Sequence, residues 1–181
     1  MDDVPPPLAV AEPEALRIRR EHIHHEAALK GLGSLWVLGG AVALLLSGAA
    51  WLVFVFAPPG DEPGMRAELV VGSAFLGSLG VGLVASGAGL FFLRAWARIA
   101  GAVLSALSLL SFPVGTLLGA GCLYLLLSGK GARVCTLEYS QVIAVTPGVR
   151  SWVTWAAWAL HLTLLALCLV WFAFVAGEAA R

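Results

Sequence analysis

Charged side chains are scarce in this 181-residue chain, and they are unevenly spread. Asp, Glu, Lys and Arg make up 12% of the residues, whereas a soluble domain carries about a quarter. Four stretches contain none of them: residues 31–60, 69–93, 99–128 and 151–177. Each stretch is longer than the roughly 20 apolar residues that cross a ~30 Å hydrocarbon layer. The lack of charge therefore predicts a membrane protein rather than a soluble domain.

The sequence lacks the residues that several classes of function require. Eleven basic and eleven acidic side chains balance, so the basic field of a nucleic-acid-binding protein is not expected. The only Asp residues are at positions 2, 3 and 61, in regions predicted to be flexible, which argues against a Ser–His–Asp triad. The sequence GKGAR at 129–133 lacks the first glycine and the Ser/Thr of a P-loop. The three cysteines have no metal-ligand spacing. We therefore predict a protein that is not an enzyme and that binds no cofactor.

The apolar stretches are continuous, and the mean hydropathy is +0.90. In lipid the backbone must satisfy its own hydrogen bonds, which only helices and closed barrels do. Barrel strands would alternate polar and apolar residues, so helices are favoured. The predicted fold class is an all-α polytopic membrane bundle within residues 31–177, with apolar segments at about 32–56, 67–93, 97–128 and 152–176. We expect a disordered, acidic and Pro-rich tail over 1–11 and a juxtamembrane cytoplasmic helix over 12–30.

The third apolar segment has two interpretations. Pro113 removes a backbone donor, so the segment is expected to be kinked or broken there. A single kinked span leaves seven basic residues on the side of the N-terminus and four on the other, whereas a hairpin leaves nine and two. The positive-inside rule favours the hairpin, but residues 114–128 extend only ~22 Å as a helix, short for a full span. We expect the kinked span, with a short helix over 137–145 in the loop that follows. Both interpretations place the N-terminus in the cytoplasm.

Two groups of residues are candidates for chemistry. His22, His25 and Glu26 share one helical face, and imidazole with carboxylate suits a divalent metal. The simpler interpretation is a solvated polar helix near the headgroups. His161 lies almost midway between Trp152 and Trp171, near the predicted bilayer centre, where an ionisable group is costly and often functional. A neutral histidine that bonds a neighbouring helix is the simpler role there.

Small residues recur at helical spacing in three of the predicted helices. In lipid such rows let two backbones approach closely. We predict helix packing at these positions, within the bundle or between chains: Gly39, Ala43 and Ser47; Ala74, Ser78, Gly82 and Ser86; and Gly115 and Gly119.

Several segments resemble small, uncharacterised bacterial inner-membrane proteins with four helices. They are REHIHHEAALK at 20–30 with GSLWVLG at 33–39, RAWARIA at 94–100, SFPVGTLLG at 111–119 and EYSQVIAVTP at 138–147. The resemblance covers about half of the chain. It implies a shared fold and a multi-pass location in the bacterial inner membrane, and it implies no activity.

The hypothesis that follows is a non-enzymatic membrane protein for interaction or assembly. Its partners would be the lipid bilayer and either a second copy or another membrane protein, without nucleic acid. The alternative is a small transporter or channel component, because broken helices such as the one expected at Pro113 often line binding sites, and His161 is predicted at similar depth.

Overall fold

The structure, a computed structural model, describes residues 12–56 and 63–149, together with positions 155, 159, 162, 163 and 166. Every regular element in these residues is an α-helix, so the predicted all-α class is confirmed. The helices are α1 (Glu12–Phe56), α2 (Pro63–Phe91), α3 (Ala95–Ser108), α4 (Val114–Leu127), α5 (Gly129–Val134) and α6 (Leu137–Val145).

The first helix joins the predicted juxtamembrane helix and the first apolar segment into one element. α1 has 45 residues, about 68 Å at ~1.5 Å per residue. Pro13 lies in its first turn, where the missing N–H costs nothing, and the next proline is Pro58. With no proline between them, the polar and apolar parts form a single rod.

Helices α1 and α2 run antiparallel and approach closely along a line of small residues. Three pairs face each other: Gly33 with Gly87, Gly40 with Gly80, and Ser47 with Ser73. A Cβ built on Gly40 would lie 2.7 Å from the carbonyl oxygen of Gly80, too close for any side chain. The Ser47 hydroxyl donates to the Ser73 carbonyl at 2.8 Å. The members of each row are seven residues apart, which is the repeat of left-handed helix pairs. We call this line the α1–α2 seam.

The third apolar segment forms two helices, and the expected single kinked span is wrong. α3 and α4 have 14 residues each and pack as an antiparallel hairpin whose turn contains Pro113. A Cβ on Gly119 would lie 2.6 Å from the Ser105 carbonyl oxygen, so glycine allows the two backbones to meet. The Thr116 hydroxyl donates to the Leu109 carbonyl at 2.9 Å. Local packing and side-chain hydrogen bonds therefore stabilise a reversal that helix length alone did not indicate.

Two short helices after the hairpin return to the first part of α1. The Ser128 hydroxyl accepts from the Gly131 N–H at 3.0 Å and so caps α5, and the Thr136 hydroxyl accepts from the Tyr139 N–H at 3.3 Å and caps α6. Such caps satisfy N–H groups that a helix leaves unpaired. The helix predicted over 137–145 is confirmed. We call residues 12–30 of α1, together with α5 and α6, the cap.

The buried core lies where the cap joins the other helices. It takes residues from all six described helices: Leu29, Leu90, Ala97, Leu126, Val134, Cys135 and Tyr139. Away from it, large apolar side chains are exposed, with Leu45 at 74%, Phe56 at 81% and Phe112 at 87%. We call this exposed surface of α1–α4 the apolar belt.

Two of the described helices are long and apolar enough to cross a membrane, over Pro13–Phe56 and Arg66–Phe91. Helices α3 and α4 are apolar but shorter. The predicted segment at 152–176 lies outside the described residues, apart from the isolated positions given above. The four predicted spans are therefore not all represented in the part of the chain that the structure describes.

Candidate functional site

One face of α1 carries a row of residues that are alternately three and four positions apart. This spacing keeps a row on one side of a helix. Every member is buried except Trp36, which is half-buried. The row, which we call the α1 stripe, consists of Ala15, Arg19, His22, Glu26 and Leu29, its cap half, and Gly33, Trp36, Gly40, Ala43 and Ser47, its seam half.

Glu26 is the centre of the cap half. Its Oε1 accepts from Lys30 Nζ at 2.7 Å, and its Oε2 accepts from the Tyr139 hydroxyl at 3.1 Å. Arg19 Nε lies 3.6 Å from the same Oε2. Two cations and a phenol thus surround one carboxylate. We call Arg19, Glu26, Lys30, Tyr139 and Thr146 the Glu26 cluster.

Arg19 connects the Glu26 cluster to the end of α6. Its Nη1 donates to the backbone carbonyl of Thr146, to the Thr146 hydroxyl oxygen at 3.0 Å and to the Ile143 carbonyl at 3.4 Å. The last carbonyls of a helix lack partners within it and carry partial negative charge. The guanidinium supplies donors and a positive charge at that end, so it stabilises the position where α6 stops.

Four members of the Glu26 cluster are almost completely removed from solvent, whereas Lys30 is half-buried. Arg19 is 6% exposed, Glu26 5% and Tyr139 2%. Burial raises the pKa of Tyr139, and the charge of Glu26 and its hydrogen bond raise the pKa further. The phenol therefore stays protonated and donates to the carboxylate. A buried ion pair compensates the loss of hydration only when its polar atoms are well paired. Both Glu26 oxygens accept a hydrogen bond, whereas Arg19 Nε has no hydrogen-bond partner among the described residues and contributes its charge alone at 3.6 Å.

The Glu26 cluster connects two helices through ion pairs and hydrogen bonds. Its hydrogen bond from Tyr139 joins residues 113 positions apart, and it holds α6 against α1. A general acid or base must reach a proton on its substrate, whereas both Glu26 oxygens are engaged by side chains of the chain itself. The arrangement is suited to hold the cap in one position.

The predicted metal face is placed in and beside the Glu26 cluster. His22 Nδ1 lies 2.9 Å from the Ile18 carbonyl oxygen, and its ring meets Tyr139 edge-on at a centroid distance of 6.0 Å. His25 is half-buried. Among the described residues, no group of three or more His, Cys, Asp or Glu is placed to hold a metal ion. Metal binding by His22, His25 and Glu26 stays a prediction.

The predicted packing positions divide between buried and exposed sites. Ala43, Ser47, Ser86 and Gly119 are buried, Gly82 and Gly115 are half-buried, and Gly39, Ala74 and Ser78 are exposed. The α1–α2 seam passes through Gly40 rather than Gly39, because it follows a seven-residue repeat. Rows with a strict four-residue spacing drift around the helix, since one turn takes 3.6 residues.

Of the two residues in the transporter hypothesis, the structure describes Pro113 alone. Pro113 is exposed in the turn between α3 and α4. His161 lies outside the described residues. The position of Pro113 at the tip of a hairpin gives that hypothesis no support.

Sequence reasoning missed Arg19, Tyr139 and Thr146 as members of a site. One signal was available, because Arg19 and Glu26 are seven residues apart in line with the later row of small residues. That spacing indicates a buried face on which two charges must find partners. The partners themselves come from a segment more than a hundred residues away and carried no local signal.

Comparison with known proteins adds no relative, since no protein-family model, curated protein or solved structure matches the chain. The resemblance to bacterial inner-membrane proteins stays a prediction.

Proposed function

We propose that this chain is a non-enzymatic integral membrane protein that assembles with another membrane-embedded chain, either a second copy or a different partner. The observation that carries the proposal is how little of the apolar belt the chain itself covers. In the most apolar windows of α1 and α2, only 17% of the residues are buried. Monomeric soluble proteins rarely expose continuous apolar patches above a few hundred Å². Lipid and other helices are the surroundings that suit such a surface.

In this proposal the cap lies in the cytoplasm, α1 and α2 cross the bilayer, and the α3–α4 hairpin enters from the cap side and returns. Each hairpin helix is about 21 Å long, which is short of the ~30 Å hydrocarbon layer. The basic residues that flank the hairpin, Arg94, Arg98 and Lys130, lie on the cap side. That placement agrees with the positive-inside rule. A bacterial inner membrane as the location rests on the sequence resemblance alone.

Assembly is supported by the outer face of α2. Ala74 and Ser78 are one turn apart and exposed, on a side that the α1–α2 seam does not use. The Ser78 hydroxyl donates to the Phe75 carbonyl at 2.8 Å, so its polarity is compensated within the helix. Small residues in lipid allow a second helix to come close, and close packing drives helix association there.

Cross-linking in native membranes tests the proposal. Cys122, Cys135 and Cys168 are replaced by alanine, and Ser78→Cys is introduced. We expect the protein to stay in the membrane pellet after alkaline carbonate washing. We also expect an oxidant to join the Ser78→Cys thiols of two chains in a disulfide-linked dimer, or to join this thiol to a cysteine of a different partner in a mixed disulfide of larger mass.

Leu117→Cys in the same background is the control, since Leu117 is also exposed but lies on α4. A chain released by carbonate would contradict the membrane location. A chain that stays in the membrane but cross-links equally from both positions, or from neither, and is monomeric in mild detergent would contradict assembly through α2.

A further inference from the structure

A cavity of about 680 Å³ lies beside the Glu26 cluster. Its walls are the turn between α2 and α3, five residues between Cys135 and Ile143, and Lys30 of α1. It is located where the cap meets the apolar belt. Its volume is within the roughly 300–1,000 Å³ of small-ligand sites.

The charge of the cavity wall is positive. Lys30 and Arg94 line it, and no acidic side chain is among the lining residues that the structure describes. Lys30 is paired with Glu26, yet 36% of its side chain is exposed, so it can contact a second anion. An anion is therefore the complementary ligand.

Hydroxyl groups on the wall add little to recognition of that anion. The Thr136 hydroxyl donates to the Arg133 carbonyl at 2.8 Å, and the Ser140 hydroxyl donates to the Leu137 carbonyl at 2.6 Å. Both hydroxyl protons are thus engaged within the chain. Recognition of an anion falls to the two cations, Lys30 and Arg94.

The remaining wall is aromatic and continuous with the apolar belt. Phe92 is 70% exposed and Trp96 is 53% exposed, and both line the cavity. Tryptophan next to arginine is typical of the boundary between hydrocarbon and headgroups. A small soluble anion gains nothing from such a wall, whereas the acyl chains of a lipid do.

The turn between α2 and α3 holds Arg94 at the cavity. The Arg94 N–H bonds the Gly89 carbonyl at 2.8 Å, and the Leu93 N–H bonds the Leu90 carbonyl at 2.9 Å, which is the Schellman ending of a helix. Leu93 has a φ of 55°, in the region that usually requires glycine. Its side chain packs against the core cluster, and this contact compensates the backbone strain. The direction of Arg94 is thereby determined by the core.

We propose that this cavity binds the headgroup of an anionic glycerophospholipid. Lys30 and Arg94 hold the phosphate, and the acyl chains lie along Phe92 and Trp96. The inference rests on the proposed membrane location, and it adds a specific ligand class to it. Basic pockets between membrane helices on the cytoplasmic side are suited to such headgroups.

Native mass spectrometry of the full chain from detergent micelles tests the inference. The protein is mixed with phosphatidylglycerol or with phosphatidylcholine of the same acyl chains, and the retained lipid is counted. We expect the wild type to retain phosphatidylglycerol preferentially. Arg94→Gln should weaken that binding about fivefold, the effect of one basic residue at a lipid surface. It should weaken phosphatidylcholine less, because the choline cation already offsets the attraction between its phosphate and the basic wall.

Arg133→Gln is the matched control, because Arg133 is an exposed cation of the cap outside the cavity lining, and it should have little effect. Trp96→Ala is a second variant if Arg94→Gln does not fold, as judged by circular dichroism, and it should weaken both lipids. Displacement of the lipid by millimolar inorganic phosphate would overturn the proposal in favour of a site for free phosphate. Equal loss in Arg94→Gln and Arg133→Gln, or no preference for the anionic lipid, would also overturn it. A chain that folds in buffer without detergent would instead contradict the membrane proposal.

Discussion

The two halves of the α1 stripe have the same residue spacing but bury different kinds of groups. The cap half carries Arg19, His22 and Glu26, and it meets the polar partners of α6. The seam half carries Gly33, Gly40 and Ser47, and it meets the backbone of α2. The same 3–4 repeat therefore buries a charged network at one end of the helix and a line of bare backbone at the other.

The difference between the two halves shows how water or lipid around a helix determines which residues pack well on its buried face. Where water is displaced on assembly, buried charges need complete pairing, and apolar core residues such as Leu29 and Tyr139 gain from burial. In lipid, apolar side chains are equally well placed outside and inside, so close contact between small residues drives packing. We expect the cap half to be sensitive to loss of a partner and the seam half to be sensitive to gain of volume.

Glu26→Gln should have the largest effect on the cap half. Without the carboxylate, the buried charge of Arg19 loses its partner and Lys30 loses its nearest one. We expect a loss of about 3–5 kcal/mol in stability, measured by thermal unfolding in detergent. Glu21→Gln, on the exposed side of the same helix, should change little. Equal effects of the two variants would show that the pairing does not stabilise the cap.

Tyr139→Phe should have the next largest effect. It removes the hydrogen bond to Glu26 and should cost about 1.5–3 kcal/mol. The raised pKa of Tyr139 also predicts a pH effect. Because the folded chain holds this proton more tightly, the wild type should lose stability as the pH rises above the unfolded tyrosine pKa of about 10.

Thermal unfolding of the wild type and of Tyr139→Phe, measured from pH 8 to pH 11, checks the alkaline loss. Tyr139→Phe should lose less stability at alkaline pH than the wild type, because it has no phenol to ionise. Parallel pH profiles of the two proteins would refute the assignment.

Gly40→Val tests the seam half. Its Cβ would collide with the Gly80 carbonyl, so α1 and α2 must separate, at a cost of about 1–3 kcal/mol. Gly39→Val is the control at the adjacent position, because nothing lies within 4 Å of a Cβ there. Unfolding in detergent should distinguish the two variants. If Gly39→Val is the more harmful, the seam has been assigned to the wrong face of α1.

The reactivity of Cys135 gives the smallest expected effect and concerns the core of the cap. Cys135 is 6% exposed, and burial raises its pKa, so little thiolate is available to react. In a chain with Cys122 and Cys168 replaced by alanine, labelling by a maleimide should be several-fold slower than at Ser140→Cys in a chain that also carries Cys135→Ala. Equal rates would mean that the cap opens readily.

Much of the local structure could be predicted from the sequence. The apolar runs without charge indicated the helices, and a short helix was also expected over 137–145. Rows of small residues indicate close packing. Within the chain, Gly40 rather than Gly39 makes the contact with α2, and packing at Gly39 between chains stays a prediction. Four-residue ladders and seven-residue rows overlap in a glycine-rich chain, and only the direction of the neighbouring helix separates them.

The break at Pro113 shows the limit of arguments from length. A helix of ~22 Å is short for a span, and that fact favoured one kinked helix. The hairpin forms because Gly119 lets α4 reach the backbone of α3 at Ser105 and because Thr116 bonds the end of α3. Both contacts depend on two segments that meet only after the chain reverses.

The sequence by itself determined that the chain is helical and that much of its surface is apolar, because hydropathy and helix propensity act over neighbouring residues. Only the tertiary structure decided that Glu26 is paired with Tyr139 and that residues 129–149 return to the first part of α1. Those choices join positions more than a hundred residues apart. The pairing of a buried charge depends on which polar groups the packed helices place beside it, and this is known only once the helices have assembled.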